Sequence, residues 1–130
     1  MSAPFTKVSL NAVDDAAPGN GFGHRWEARV AREALAAERT GVSLFRLFPG
    51  KRSPFTHRHV DAEEIYVVVG GSGRAKLGGE LVDVAPLDAI RVAPTTARAF
   101  EAGPDGLVLL AVGRHHPGDG EPVEDAWTDQ

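Results

Sequence analysis

From Gly41 onward, short β-branched and aromatic runs alternate with glycine and proline punctuation. That rhythm, roughly one turn signal every eight to twelve residues, predicts strands joined by tight turns. The runs are VSLFRLF (Val42 to Phe48), EEIYVVV (Glu63 to Val69), GRAKLG (Gly73 to Gly78), ELVDV (Glu80 to Val84), AIRV (Ala89 to Val92), ARAFE (Ala97 to Glu101) and GLVLLAV (Gly106 to Val112). Short strands in this series fit a small antiparallel sandwich or barrel, an all-β architecture. Gly78 and Gly79 between two runs are a hairpin signal. GGSG at Gly70 to Gly73 reads as a turn instead of a phosphate loop, because no helix follows it. Both phases of EEIYVVV are apolar, which predicts a strand buried on both faces. Phe45, Leu47, Phe48, Phe100 and Leu107 to Leu110 read as core.

Upstream, the spacing of Trp26, Val30, Leu35 and several alanines predicts a helix from Trp26 to Glu38, with Gly41 beyond its C-terminus. The first two dozen residues, rich in turn formers such as DDAAPGNGFGH, read as an arm. The end, GRHHPGDGEPVEDAWTDQ, reads as a polar tail with one apolar anchor, Trp127. The expected organisation is an arm and helix at 1–40, a barrel at 41–113 and a tail at 114–130, within one structural domain.

Composition narrows the function classes. At 130 residues the chain suits one domain, and 42% hydrophobic with 25% charged residues is an ordinary globular balance. The absence of cysteine excludes disulfides and thiolate ligands and makes a cytoplasmic location the default. The start, MSAPFTKVSL, lacks a signal-peptide pattern, and no apolar run approaches the roughly 18 residues of a membrane span. A net charge of -4 without a lysine or arginine cluster argues against nucleic acid as a partner.

The chemistry gathers in SPFTHRHVDAEE. On an extended strand His57 and His59 face the same side, about 7 Å apart along the chain, while Arg58 faces the other. Glu64 is in phase with Tyr66 and Val68. Glu63 lies in the opposite phase and is expected to pair with an arginine at the strand edge. Two neutral imidazoles and a carboxylate suit Fe, Mn, Ni, Co or Zn. Nucleophilic catalysis is disfavoured, since there is no cysteine and no Gly-x-Ser-x-Gly elbow. A paired-carboxylate hydrolase is disfavoured because Glu63 and Glu64 point opposite ways.

The stretch PGKRSPFTHRHVDAEEIYVVVGGSG resembles the first motif of the cupins, with His57 and His59 as the His-x-His, Glu64 after four intervening residues and Gly71 after six more. The second motif is matched only in layout by PLDAIRVAPTTARAFEAG. Leu87 and Thr95 stand where that motif has glycines, Arg98 where it has a third histidine and Ala102 where it has an asparagine. The resemblance implies a double-stranded β-helix barrel of antiparallel strands with a short N-terminal helical arm, a homodimer, and a metal site at His57, His59 and Glu64. A guanidinium cannot ligate a cation, so three arrangements are open. Arg98 pairs with Glu64 in a metal-free site; or His57, His59 and Glu64 hold a metal and Arg98 binds an anionic ligand beside it; or the cluster is a relic. The expected ligand-binding set is Arg98, Tyr66, His57 and His59, with Tyr66 alternatively a core residue whose hydroxyl is satisfied internally. His24, His115 and His116 are expected to stay outside the site. The function implied is binding of a small, anionic molecule in the barrel. The alternatives are a metal-dependent dioxygenase or isomerase and a non-catalytic interaction module.

Overall fold

The computed structural model describes residues 4–114, 118–123 and 127. Eight strands form one curled antiparallel sheet: β1 Trp26–Val30, β2 Thr40–Leu47, β3 Thr56–His59, β4 Glu64–Leu77, β5 Glu80–Val84, β6 Ala89–Val92, β7 Arg98–Arg114 and β8 Gly120–Val123. Neighbours run β1-β2-β7-β3-β8, and β4 pairs with β5, β6 and β7. No helix among the described residues is long and apolar enough to cross a membrane.

The frame is the long antiparallel pair of β4 and β7, in register from Glu64 opposite Gly113 to Leu77 opposite Arg98. The two runs flanking GGSG, and the two flanking Gly103 to Gly106, are therefore fused into single bulged strands. GGSG is not a turn: the register shifts between Val68 and Gly70 and again between Gly71 and Gly73. Glycine is required there. Gly71 has φ +70, and a side chain on Gly71 or Gly73 would collide with the carbonyl oxygens of Gly106 or Glu101. Bulges of this kind bend a strand and raise its twist, which lets a flat ladder curl into a barrel.

Tyr66 and Val68 point inward with Phe100, Leu107 and Leu109, all at most 4% exposed. The opposite phase is not buried as predicted, since Ile65 and Val69 are 43% and 44% exposed. β4 thus follows the alternation of an antiparallel strand with one wet face. The hairpin at Gly78 and Gly79 is present, joining β4 to β5 with Leu77 opposite Glu80.

The predicted helix over Trp26 to Glu38 is corrected to a strand and a single turn. β1 pairs antiparallel with β2 from Trp26 opposite Leu47 to Val30 opposite Ser43. Trp26 and Ala28 are buried while Glu27 and Arg29 are not, a period of two that outweighs the alanine-rich helix propensity. What remains helical is α1, Arg32–Leu35, closed by Ala36 in the left-handed region. Gly41, expected past a helix end, lies in β2. The tail is corrected too. β8 pairs with β3 from Thr56 opposite Val123 to His59 opposite Gly120, and Trp127, 4% exposed, lies under the Arg52 guanidinium at 4.7 Å. Alternating polar residues in GEPV gave no strand signal, because this edge strand gains its stability from backbone pairing instead of burial.

Leu87 adopts a left-handed backbone conformation of the kind glycine favours. Its φ is 71 and its side chain is 83% exposed, while its N–H donates to Val68 O at 2.7 Å. The tertiary hydrogen bond holds a conformation that a Cβ disfavours by about 1–2 kcal/mol. Leu87→Gly is expected to leave the fold intact and to raise unfolding stability by up to ~1 kcal/mol once the entropy of glycine is set against the relieved strain; urea denaturation checks this, and a loss of stability contradicts it.

Candidate metal and ligand site

Strand β3 delivers His57 and His59 to the barrel interior, and the first residue of β4 delivers Glu64. The turn between them is held by one side chain. Asp119, just before β8 and 7% exposed, accepts the N–H groups of Val60, Asp61 and Ala62 at 3.2, 2.8 and 2.9 Å. Burial pushes the Asp119 carboxyl up, but these donors and the nearby charge of His59 outweigh it and lower its pKa. Nothing in the tail's sequence marked Asp119. It reaches the site only through the β3–β8 pairing, which local pattern does not reveal.

One oxygen is the node of the site. Glu64 Oε1 accepts from the Tyr66 hydroxyl at 2.7 Å and from Arg98 Nη1 at 3.2 Å, and lies 3.1 Å from His59 Nε2 and 3.8 Å from His57 Nε2. Of the sequence-predicted residues, His57, His59, Glu64, Tyr66 and Arg98 are all brought together. Arg98 is fully buried. Its Nη2 donates to Ala93 O at 2.8 Å, and its Nε has no partner among the described residues. The Glu64–Arg98 contact is the pairing of the first arrangement set out from the sequence. Glu63 is exposed and pairs with Arg91 at 3.1 Å, as its phase predicts. His24 lines a surface cleft with Lys51 and Glu101, apart from the cluster; His115 and His116 lie outside the described residues.

Burial favours the neutral form of Glu64, but the approach of His57, the hydrogen bond from Tyr66 and the charges of His59 and His57 overcome it and hold the carboxyl at about 2. Burial, with the charge of Glu64 alongside, raises Tyr66 well above its usual value, so its phenol stays a donor across the working pH range.

The donor set fits a divalent cation. The ligand atoms of His57, His59 and Glu64 lie within 4.8 Å of one another. His59 is the telling residue: its Nε2 faces Glu64, and its Nδ1 lies 3.2 Å from Asp119 Oδ2. A neutral imidazole has one proton. Placed on Nε2, that proton leaves Nδ1 buried without a hydrogen-bond partner. Placed on Nδ1, it lies 3.2 Å from the Asp119 carboxylate, short of hydrogen-bond geometry as the ring stands, and the Nε2 lone pair turns toward the cluster, as in a metal-ligating histidine with a carboxylate behind it.

Two cavities meet at the cluster, and His59 and Glu64 line both. The inner one, about 190 Å³, has walls of Trp26, Phe45, Phe55 and Tyr66. Trp26 stacks on Phe45 at 4.6 Å and meets Phe55 edge-on at 5.9 Å. The other, about 270 Å³, is bounded by Val30, Arg32, Val42 and Ala111. Larger openings exist, such as that of about 700 Å³ near Glu38 and Arg39, but the His57–His59–Glu64 cluster does not line it.

The Glu64 shift has a stability consequence. A carboxyl held at about 2 against an ordinary 4.5 stabilises the folded state above pH ~4.5, and the contribution is lost as pH falls toward 2. At roughly 1.4 kcal/mol per unit it is worth about 3 kcal/mol. In chelator-treated protein, Glu64→Gln is expected to lower unfolding stability by about 3 kcal/mol at pH 7, with the gap to wild type closing between pH ~4.5 and ~2. Denaturant titrations across that range check it; a gap independent of pH contradicts it.

No family model and no curated protein sequence matches the chain. Solved structures do. A cupin protein from Bacteroides fragilis aligns with TM-score 0.71 and 24% identity over 90% of this chain and 89% of its own. A sugar phosphate isomerase of the cupin superfamily from Silicibacter pomeroyi aligns with TM-score 0.74 and 19% identity over 92% and 82%. A polyketide cyclase from Streptomyces resistomycificus aligns with TM-score 0.73 and 22% identity over 94% and 89%. Agreement across nearly the whole chain, with the strand pairing described above, identifies the fold as the double-stranded β-helix of the cupins.

Proposed function

We propose that this protein binds a small molecule in its barrel beside a divalent transition metal, Fe, Mn, Ni, Co or Zn, held by His57, His59 and Glu64. The observation that carries the reading is the placement of the His59 ring between two carboxylates. The metal, when bound, supplies Lewis acidity toward a ligand oxygen. The chain's own residues do the rest. Asp119 orients His59, Tyr66 donates to Glu64, and Arg98 balances the charge of Glu64 from within the core. Because Arg98 is committed to Glu64, Ala93 O and Pro94 O, it acts as an internal counter-ion. The similar structures include an isomerase and a cyclase, and one fold hosts many chemistries, so the reading stops at binding.

A second reading, a metal-free binding module, is favoured by the same Arg98–Glu64 contact, which sets a cation 3.2 Å from a would-be ligand oxygen. Elemental analysis of untagged protein grown in metal-replete medium separates the two. Near-stoichiometric metal that disappears in His57→Ala is expected, and its absence from the wild type selects the metal-free reading. Asp119→Asn is expected to weaken metal affinity about 10–100-fold, read by chelator competition.

We also propose a homodimer. Ile65 and Val112, opposite each other on β4 and β7, are 43% and 37% exposed and supply an apolar patch on the outer face of the sheet. Light scattering is expected to give twice the 13.8 kDa chain mass, reduced to the single-chain value by Ile65→Lys. A wild-type mass of one chain contradicts the proposal.

A further inference from the structure

We propose that the 270 Å³ cavity is a carboxylate subsite in which Arg32 holds the anionic end of the ligand. This rests on the reading of the barrel as a small-molecule site, and it names the ligand's class: a small carboxylic acid with an apolar body.

Arg32 is the first residue of α1. The residue before it, Ala31, has no exposed surface, and its N–H donates to Val42 O at 3.0 Å, so the backbone that carries Arg32 is anchored to β2. The stem of Arg32 runs over Gly41, where an added Cβ would lie 3.6 Å from Arg32 Cβ and 3.9 Å from its Cδ. The guanidinium therefore lies along one wall of the cavity. Its Nε is buried and without a hydrogen-bond partner among the described residues, and no salt bridge there involves it. A guanidinium is charged at every working pH and has five donors in a planar fork that matches a carboxylate. Arg32 as a whole is half-buried, but its Nε donor is withdrawn from water and unmet, and such a donor calls for an acceptor. Most other arginines near the site are committed: Arg98 to Glu64, Arg29 and Arg46 to Glu27, Arg52 and Arg74 to Glu101.

The rest of the wall fits the same ligand. Among the described residues Glu64 is the one acid lining the cavity, and Arg98 and Tyr66 already balance it. The remaining polar lining is Ser43, His59 and the exposed Arg114. Val30, Val42, Ala62 and Ala111 make the other side apolar. An apolar cavity of about 150 Å³ accommodates benzene, so a ring bearing one carboxylate fits the space here. A carboxylate on Arg32 also lies next to His59 and Glu64, within the same cavity as the proposed metal ligands.

The test uses benzoate and its neutral isostere benzamide on the full chain, followed by amide chemical shifts of Gly41 and Gly113, which line the cavity. Benzoate is expected to bind at least ~10-fold more tightly than benzamide. Arg32→Gln is expected to weaken benzoate by ~10-fold or more while leaving benzamide unchanged, and Arg32→Lys to recover part of the loss. Equal binding of the two probes, benzoate binding unaffected by Arg32→Gln, loss on Arg114→Gln instead, or no shift with either probe overturns the proposal. Benzoate binding that ignores Arg32→Gln but is lost in His59→Ala removes the subsite and leaves the barrel reading standing. Absence of metal with benzoate behaving as expected removes the metal and leaves the subsite.

Discussion

A guanidinium without exposed surface has to be neutralised where it sits, and in this protein the Arg98–Glu64 pair meets that requirement. Arg98 starts β7, opposite His57 on β3 and Leu77 at the far end of β4. Glu64 starts β4, opposite Gly113 at the other end of β7. The pair therefore ties together the two ends of the longest ribbon in the fold across the barrel interior. Removing either partner would strand the other charge in a low-dielectric core at a cost of about 3–5 kcal/mol. It also determines what the site has left to offer: Glu64 is fixed and ionised, Tyr66 is committed to it, and the imidazoles of His57 and His59 face the same oxygen.

The surrounding structure supports that node from several directions. Asp119 holds the turn between the histidines and Glu64 by three backbone hydrogen bonds and also faces His59 Nδ1, so β8 is part of the site's support. Gly71 and Gly73 permit the bulges that curl β4 around the core. The aromatic residues of the inner cavity form a chain of ring contacts from Trp26 through Phe55 and His57 to His59. The histidines thus have an apolar packing surface on one side and carboxylates on the other, which restricts the orientations they can adopt.

Much of this was legible in the residues. The strand rhythm after Gly41 and the spacing of His57, His59, Glu64 and Gly71 pointed to the barrel and to the cluster, because strand periodicity is local and the motif spans two strands consecutive in the chain. Arg98, standing where the cupin motif has a histidine, made its pairing with Glu64 one of three open arrangements, and the structure contains that contact. The features that were missed depend on distant pairing. The alanine-rich segment from Trp26 looked helical until β2 offered an edge, and the polar GEPV run became β8 only against β3. GGSG looked like a turn because glycine marks bulges and turns alike. Leu87 shows the converse: its backbone keeps the left-handed conformation without the residue that usually signals it.

On the proposed reading Glu64 serves two cations at once, Arg98 inside the core and a metal shared with the histidines. The direct measurement is a crystal structure of zinc-loaded protein with anomalous data collected at the zinc edge. One strong peak is expected about 2.0–2.2 Å from a nitrogen of His57, a nitrogen of His59 and an oxygen of Glu64, with Arg98 still hydrogen-bonded to Glu64. No peak between the histidines at saturating zinc, or a peak obtained only with Arg98 turned away from Glu64, contradicts it.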